Sequence, residues 1–483
     1  MKILKYKRPV LLLLVLVICL SAFSQQQADS LMHYLEIAAN NNPAVMQKFT
    51  EYKAALQKIP QVGSLPDPEL NLGVFLKPME LLDGKQVADI RLMQMFPWFG
   101  VIKNAKDEMS LMAKAKFESF RDTKLSLFYD VQRTWYELSK FQQDIQISES
   151  NIEILKTIER LTIVRFKSPL TSGGGSSSGG IVSSGTTSVN SSESSGMGGG
   201  MGGGAVNNTG TTSNQGSSSM GASPMGSQTG GSGLADLYRI QIEIGDLQNN
   251  IASLKNLMVT ITSRFNTYLN RPVLASVTLP DTLKPEIFNI SMAAVTDSML
   301  INNPMLGMLK YEQQSLDARY RMVTAMGYPM VGLGLNYSLI NKSEMSTSSM
   351  NGKDMVMPMV TLTLPIYRKK YNAMKSEVEL LKTATSQGYQ ATSNSLQAEF
   401  YQAVQLYQDA QRRQKLYADQ YLLADKSLSI MLKSFSSAGY TLTDILRVRQ
   451  QTLDYKFKQV EAVVDYNSAV AWLKRLMAYY QKQ

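Results

Sequence analysis

Cysteine and histidine are almost missing from this chain. Of its 483 residues one is a cysteine, Cys19, and one is a histidine, His33. That scarcity excludes a structural disulfide framework, a Cys/His zinc site and a Cys–His nucleophile pair. There is also no Gly-Lys-Ser/Thr phosphate loop and no paired-His motif, so neither ATP-driven nor enzymatic chemistry has residues to carry it. His33, on a short first helix, is read as a surface residue.

Long apolar runs are lacking too. Past the first 24 residues nothing approaches the roughly 20 apolar residues of a spanning helix, so any membrane crossing must be made by β-strands. Within those first residues Lys2, Lys5, Lys7 and Arg8 precede an apolar run from Pro9 to Leu20, and Ala22-Phe23-Ser24 makes a small-x-small cleavage site. Residues 1–24 are therefore expected to be a secretory signal peptide. Ile18 stands before Cys19 where a lipoprotein signal needs a small residue, which leaves the mature chain without cysteine. Losing four basic residues lowers the formal charge from +10 to +6 (10 − 4). A balance so mildly basic argues against a nucleic-acid partner.

What the chain does have is a repeat. Asn41-Asn42-Pro43 recurs as Asn302-Asn303-Pro304, and Asp67-Pro68 as Tyr328-Pro329, both at an offset of 261 (304 − 43 and 329 − 68). Pro97 and the Asp83-Gly84 turn recur as Pro365 and Asn351-Gly352 at an offset of 268 (365 − 97 and 352 − 84). Two homologous halves, residues 25–285 and 286–483, follow, each built helix, β-hairpin, long helix, helix. Asn-Asn-Pro reads as an N-cap before a first-turn proline, and the remaining prolines fall at strand–helix boundaries where a missing N–H does least harm.

Coiled-coil periodicity sets the long helices. Leu396, Phe400, Ala403, Tyr407, Ala410, Gln414, Tyr417, Tyr421, Ala424, Leu428, Met431 and Phe435 step by fours and threes, and Val131, Leu138, Ile145, Ile152, Glu159 and Phe166 hold a spacing of seven. Helices are predicted from about Val101 to Lys167 and from about Lys369 to Phe435, each roughly 100 Å long. Partner helices are predicted from about Leu234 to Leu269 and from about Thr441 to Tyr480. Between the paired prolines Leu70, Leu72, Val74 and Leu76 alternate with Glu69, Asn71, Gly73 and Phe75, and Val331, Leu333, Leu335 and Tyr337 with Gly332, Gly334, Asn336 and Ser338. Such runs, with one apolar face and one small or polar face, suit tilted membrane strands and soluble hairpins alike. The loops are expected at Lys77–Ala88 and Leu339–Asp354.

A signal peptide followed twice by a helix opened at Asn-Pro, a hairpin, a Pro-bounded return such as Gln94-Met95-Phe96-Pro97-Trp98-Phe99-Gly100, and a very long helix resembles the TolC family of outer-membrane efflux proteins. The tips agree: Arg165-Phe166 with Asp236-Leu237, and Ser434-Phe435 through Gly439 with Thr443-Asp444-Ile445-Leu446. The tract around Pro68 and Trp98-Phe99-Gly100 looks most like the heavy-metal-efflux branch. The resemblance implies a mainly α fold with a small β part, in a homotrimer: four strands from each copy close a 12-stranded outer-membrane β-barrel, and four helices from each form a periplasmic α-barrel tunnel. It implies as partners a periplasmic adaptor (membrane fusion) protein, an inner-membrane transporter, proton-driven, and outer-membrane lipid. No cofactor is expected. A soluble periplasmic coiled-coil adaptor or scaffold is the alternative reading; an adaptor, however, normally carries one helical hairpin between β-domains, and this chain has two.

The same resemblance makes Asp236 and Asp444, with Arg239 and Arg447 one turn on, candidates for a periplasmic gate, since rings of carboxylates select cations. An acidic residue in a first helical turn is equally what the helix dipole favours. Between Phe166 and Asp236 lie 69 residues, against eight between Phe435 and Asp444. The extra segment, 168–233, is mostly Gly, Ser, Thr and Asn, and its composition predicts a disordered tip insertion. Met197, Met201, Met220 and Met225 are its weak candidates for soft-metal contacts.

Overall fold

In the computed structural model the described residues are 31–167, 233–288, 291–435 and 440–479. The signal segment with Cys19, and the insertion with Met197, Met201, Met220 and Met225, lie outside them. Twelve elements follow one another among the described residues: α1 (Leu31–Asn41), α2 (Pro43–Val62), β1 (Glu69–Leu81), β2 (Gly84–Phe96), α3 (Val101–Lys167), α4 (Gly233–Tyr268), α5 (Met292–Asn302), α6 (Pro304–Met326), β3 (Met330–Asn341), β4 (Met355–Thr363), α7 (Arg368–Ser434) and α8 (Leu442–Leu476). The duplicated order is the one the proline offsets imply. Each long helix, α3 and α7, has 67 residues, and the boundaries fall within a few residues of those expected.

The chain divides into a larger unit, taking in residues up to Ile154 and from Ile244 onward, and a smaller one, Leu155–Glu243. The larger unit has two cores. The first gathers Tyr34 of α1, Val131, Trp135 and Leu138 of α3, Phe265 of α4 with Leu269 just past its end, and Val464 and Ala471 of α8. The second gathers Met299 of α5, Leu396, Phe400 and Tyr407 of α7, and Leu473 and Leu476 of α8. The predicted seam is the buried one: Ala403 and Ala410 are fully enclosed, as are Val131 and Leu138. Burying a valine or leucine side chain is worth about 1.5–3 kcal/mol. In the smaller unit Leu155, Ile158 and Ile240 are buried, and Gln241 Nε2 donates to Glu159 Oε1 at 3.1 Å.

The asparagines before the first-turn prolines have two jobs. Asn42 Oδ1 accepts from the N–H of Ala44 at 3.0 Å, capping α2, while its Nδ2 donates to the Tyr268 carbonyl at the end of α4 at 2.9 Å. Asn303 repeats both bonds, accepting from Met305 N–H at 3.0 Å and donating to the Leu476 carbonyl at 3.2 Å. Each half thus ties the end of its returning helix to the start of the helix entering the hairpin. The returning helices keep a third offset of 208: Tyr268 matches Leu476 (476 − 268), and beyond them Asn270 and Ala478 both take the left-handed conformation, with φ of 51°. In each, the N–H of the next residue reaches back five residues, Arg271 to the Asn266 carbonyl and Tyr479 to that of Lys474, closing a Schellman-type end.

The four strands form one antiparallel sheet in the order β1-β2-β3-β4, so the central β2–β3 pairing joins the two halves. The first hairpin corrects the expectation of a loop at Lys77–Ala88. β1 continues to Leu81 and β2 begins at Gly84, leaving Leu82-Asp83 as the turn. Gly84 has φ of 132°, which only glycine takes readily, and this lets the ladder run into so tight a turn. The second connection begins at Lys342, three residues later than expected, and folds onto the first turn: Gly352 N–H donates to the Asp83 carbonyl at 3.0 Å and Ser348 Oγ to Asp83 Oδ1 at 2.6 Å.

Candidate functional site

The cross-strand register sorts the sheet into two faces. Leu70 pairs with Leu92, Leu92 with Leu335, and Leu335 with Pro358; one step along, Leu72 pairs with Ile90, Ile90 with Tyr337, and Tyr337 with Val356. This apolar face stays uncovered in the single chain, with Leu72 67 % exposed, Val74 73 % and Val360 75 %. Patches of this size on a protein surface mark a membrane or a partner. The opposite face carries Asn71, Arg91 and Asn336 in one cross-strand row and Gly73, Asp89 and Ser338 in the next.

The sheet also has two open edges. Among the described residues β1 pairs only with β2 and β4 only with β3. In hydrocarbon every unpaired backbone group costs several kcal/mol, so a lipid-facing sheet must close into a barrel. Four strands, roughly 19 Å across at about 4.8 Å per strand, are too few to close. Closure therefore calls for strands beyond these four. Where the sheet meets the long helices, the aromatic residues Phe99 and Tyr367 are exposed, as suits the girdle of a membrane boundary.

The tip residues fall into the two units separately. In the larger one Thr441 caps α8: its Oγ1 accepts from Asp444 N–H at 3.2 Å and donates to Asp444 Oδ2 at 2.6 Å. Asp444 also meets Arg447 one turn on, at 3.8 Å between exposed groups. The Thr-x-x-Asp spacing could have disclosed this reciprocal cap from sequence. In the smaller unit Asp236 lies in the first turn of α4, half-buried, with exposed Arg239 one turn on. The offset of 208 matches both pairs (444 − 236 and 447 − 239), but Gly233 stands where the second half has Thr441, so the side-chain cap is not repeated.

One buried carboxylate was not anticipated. Asp144 on α3 has a nearly enclosed side chain, with Lys140 Nζ 3.9 Å away. Burial pushes its carboxyl up to about 6, against the attraction of Lys140 and reinforced by the charge of Glu461 on α8. It sits beside the seam residue Ile145, a place where periodicity assigns no role to a polar group. His33 is exposed, as expected. No helix among the described residues is long and apolar enough to cross a membrane, and none of their His, Cys, Asp and Glu side chains gather into a metal-binding group.

Neither a protein-family model nor a curated protein sequence matches the chain. Solved structures do. A membrane protein from Pseudomonas aeruginosa is 12 % identical with a TM-score of 0.65, over 92 % of this chain and 93 % of that one. The outer membrane protein VceC of Vibrio cholerae is 12 % identical with a TM-score of 0.64, over 93 % and 96 %. The open state of the Neisseria gonorrhoeae MtrE outer membrane channel is 12 % identical with a TM-score of 0.63, over 93 % and 88 %. At such identities the likeness is one of fold, and the fold of this chain is the TolC-like fold of outer-membrane channels.

Proposed function

We propose that this protein is the outer-membrane channel of a tripartite efflux or export system, a homotrimer that gives passive exit to substrates delivered by a proton-driven inner-membrane transporter through a periplasmic adaptor. The observation that carries the reading is the sheet: an exposed apolar face, a polar opposite face and two unpaired edges, continued by helices far longer than a globular core requires. In a trimer 3 × 4 = 12 strands close a barrel, apolar face to lipid and polar face to the lumen. The helices then lie in the periplasm, and energy comes from the partner because the chain has no nucleotide loop. A soluble adaptor would leave Leu72, Val74 and Val360 in water, so the exposed face speaks against that alternative.

At the tip, Asp236, Arg239, Asp444 and Arg447 of three copies form the gate in this reading, an Asp–Arg network around the periplasmic mouth. Replacing both aspartates with Asn is expected to change cation conductance in planar bilayers while the trimer persists. Unchanged conductance with a loss of roughly 0.3–1 kcal/mol per site would reduce them to helix caps. Fractionation on a density gradient tests the channel itself: the protein should band with outer membrane and run as a trimer after mild extraction. Recovery as a soluble monomer would refute it.

A further inference from the structure

We propose that the polar face of the sheet is a thioether site for a soft monovalent cation, Cu(I) or Ag(I), formed by Met93, Met95, Met330, Met355, Met357 and Met359. The register places all six on that face. Met93 pairs with Gly334 and Gly334 with Met359; Met95 pairs with Gly332; Met330 pairs with Thr363; Met355 and Met357 pair with Ser338 and Asn336. In the regular rows from Glu69 to Val74 of β1, Ala88 to Phe96 of β2, and throughout the β3–β4 ladder to Ser338, the opposite face has leucine, valine, isoleucine and phenylalanine but no methionine. On the polar face of those rows the only large apolar side chains are these methionines. With 28 methionines in the chain, a spread by composition alone would not respect the faces.

The glycines of β3 make the room. A Cβ on Gly332 would lie 2.6 Å from Met95 Sδ, so the thioether occupies the space that a side chain would fill. Across Gly334, Met93 and Met359 are two strand spacings apart, about 9.6 Å, a gap that two flexible thioether side chains can bridge. Along β4, Met355, Met357 and Met359 follow at about 6.8 Å. Met355, at 45 % exposure, and Met357, at 46 %, are reachable from solvent.

Neutral thioethers favour Cu(I) and its congeners over Na⁺ or Mg²⁺, which seek oxygen. Successive thioethers hold such an ion weakly at several places, the condition for passage rather than storage, and Glu69, directly opposite Met93, adds a carboxylate beside one of them. The site rests on the channel reading, because only a closed barrel turns this face inward.

The test uses the full-length protein, purified in detergent with ¹³C-methyl-labelled methionine and titrated with silver nitrate, Ag(I) being stable to oxidation. The six methyl resonances, identified by single Met→Leu variants, should shift with Ag(I) and stay put with Na⁺ or Mg²⁺, and a variant with all six changed to Leu should lose the silver bound in equilibrium dialysis. Should that variant fail to assemble, Met93→Leu with Met95→Leu alone must still abolish the shift at Met359. Shifts confined to methionines elsewhere, or wild-type silver binding by an assembled six-fold variant, would overturn the proposal. A trimer in the outer membrane without the silver shifts refutes this site alone, whereas a soluble monomer refutes the channel reading as well.

Discussion

Leu335 lies mid-strand in β3, paired on one side with Leu92 and on the other with Pro358, on the face assigned to lipid. Replacing it with Arg separates a membrane sheet from a soluble one. At the midplane of a bilayer an outward arginine costs about 2–4 kcal/mol per copy, hence roughly 6–12 kcal/mol in a trimer. Since about 1.4 kcal/mol is a factor of ten, assembly should fall by about four to nine orders of magnitude. In water the same residue, 48 % exposed in the single chain, would tolerate Arg within about 0.5 kcal/mol. Met355→Arg is the control: it lies on the opposite face in the row of Asp89 and is 45 % exposed, so it should cost within about 0.5 kcal/mol. The assay is the amount of unheated SDS-resistant oligomer in outer-membrane fractions. Leu335→Arg should abolish it and Met355→Arg should keep most of it. Wild-type oligomer from Leu335→Arg would refute the assignment of the faces.

Three further outcomes are expected. Asn303→Ala removes both the α6 cap and the tie to Leu476, a loss of about 2 kcal/mol, whereas Asn303→Ser keeps the cap and loses about half as much; equal losses in denaturant unfolding followed by circular dichroism would show that the tie contributes nothing. Asp144 has a folded carboxyl raised to about 6 from 3.8, so the folded state is favoured at low pH and loses roughly 3 kcal/mol as pH rises from about 4 to above 6. Asp144→Asn should therefore stabilise the protein at pH 7.5 and leave it unchanged near pH 3.5, and an equal effect at both would contradict the assigned burial. Shortening 168–233 to a tip like that of the second half removes a loop-closure cost of about (3/2)RT ln(69/8), roughly 2 kcal/mol, so trimer and efflux should survive. Loss of efflux at constant trimer level would give the insertion a role in transport, and loss confined to copper or silver would assign that role to Met197, Met201, Met220 and Met225.

Much of the fold was legible because it is written twice. The Asn-Pro and Pro97/Pro365 offsets placed the two hairpins and the helices around them, though the unit read as one helix before each hairpin has two, and an uninterrupted heptad such as Leu396 to Phe435 admits one helical face only. Turn chemistry was harder to read: Asp83-Gly84 was recognised as a turn, but the two residues it needs could not be told from a longer loop until the ladder was seen to reach Leu81 and Gly84. The tie from Asn303 to Leu476 spans 173 residues, so no local pattern announces it. The candidate sites divide the same way. Asp236 and Asp444 were singled out by their matched places, and the Thr441 cap gives one of them a structural role. The methionine face stayed hidden because alternation within one strand says nothing of which residues oppose one another, and Asp144 because a heptad describes only its apolar members.

Disulfide trapping of the two open edges tests the central claim most directly. Pairs of cysteines, one on β1 around Leu70 and one on β4 around Leu362, cannot meet within a chain, where two intervening strands hold the edges roughly 14 Å apart, beyond disulfide reach. In cells, a closed trimeric barrel predicts that at least one such pair oxidises to a species of three linked chains and no more. Monomer at every register, or an open ladder running past three, would contradict it.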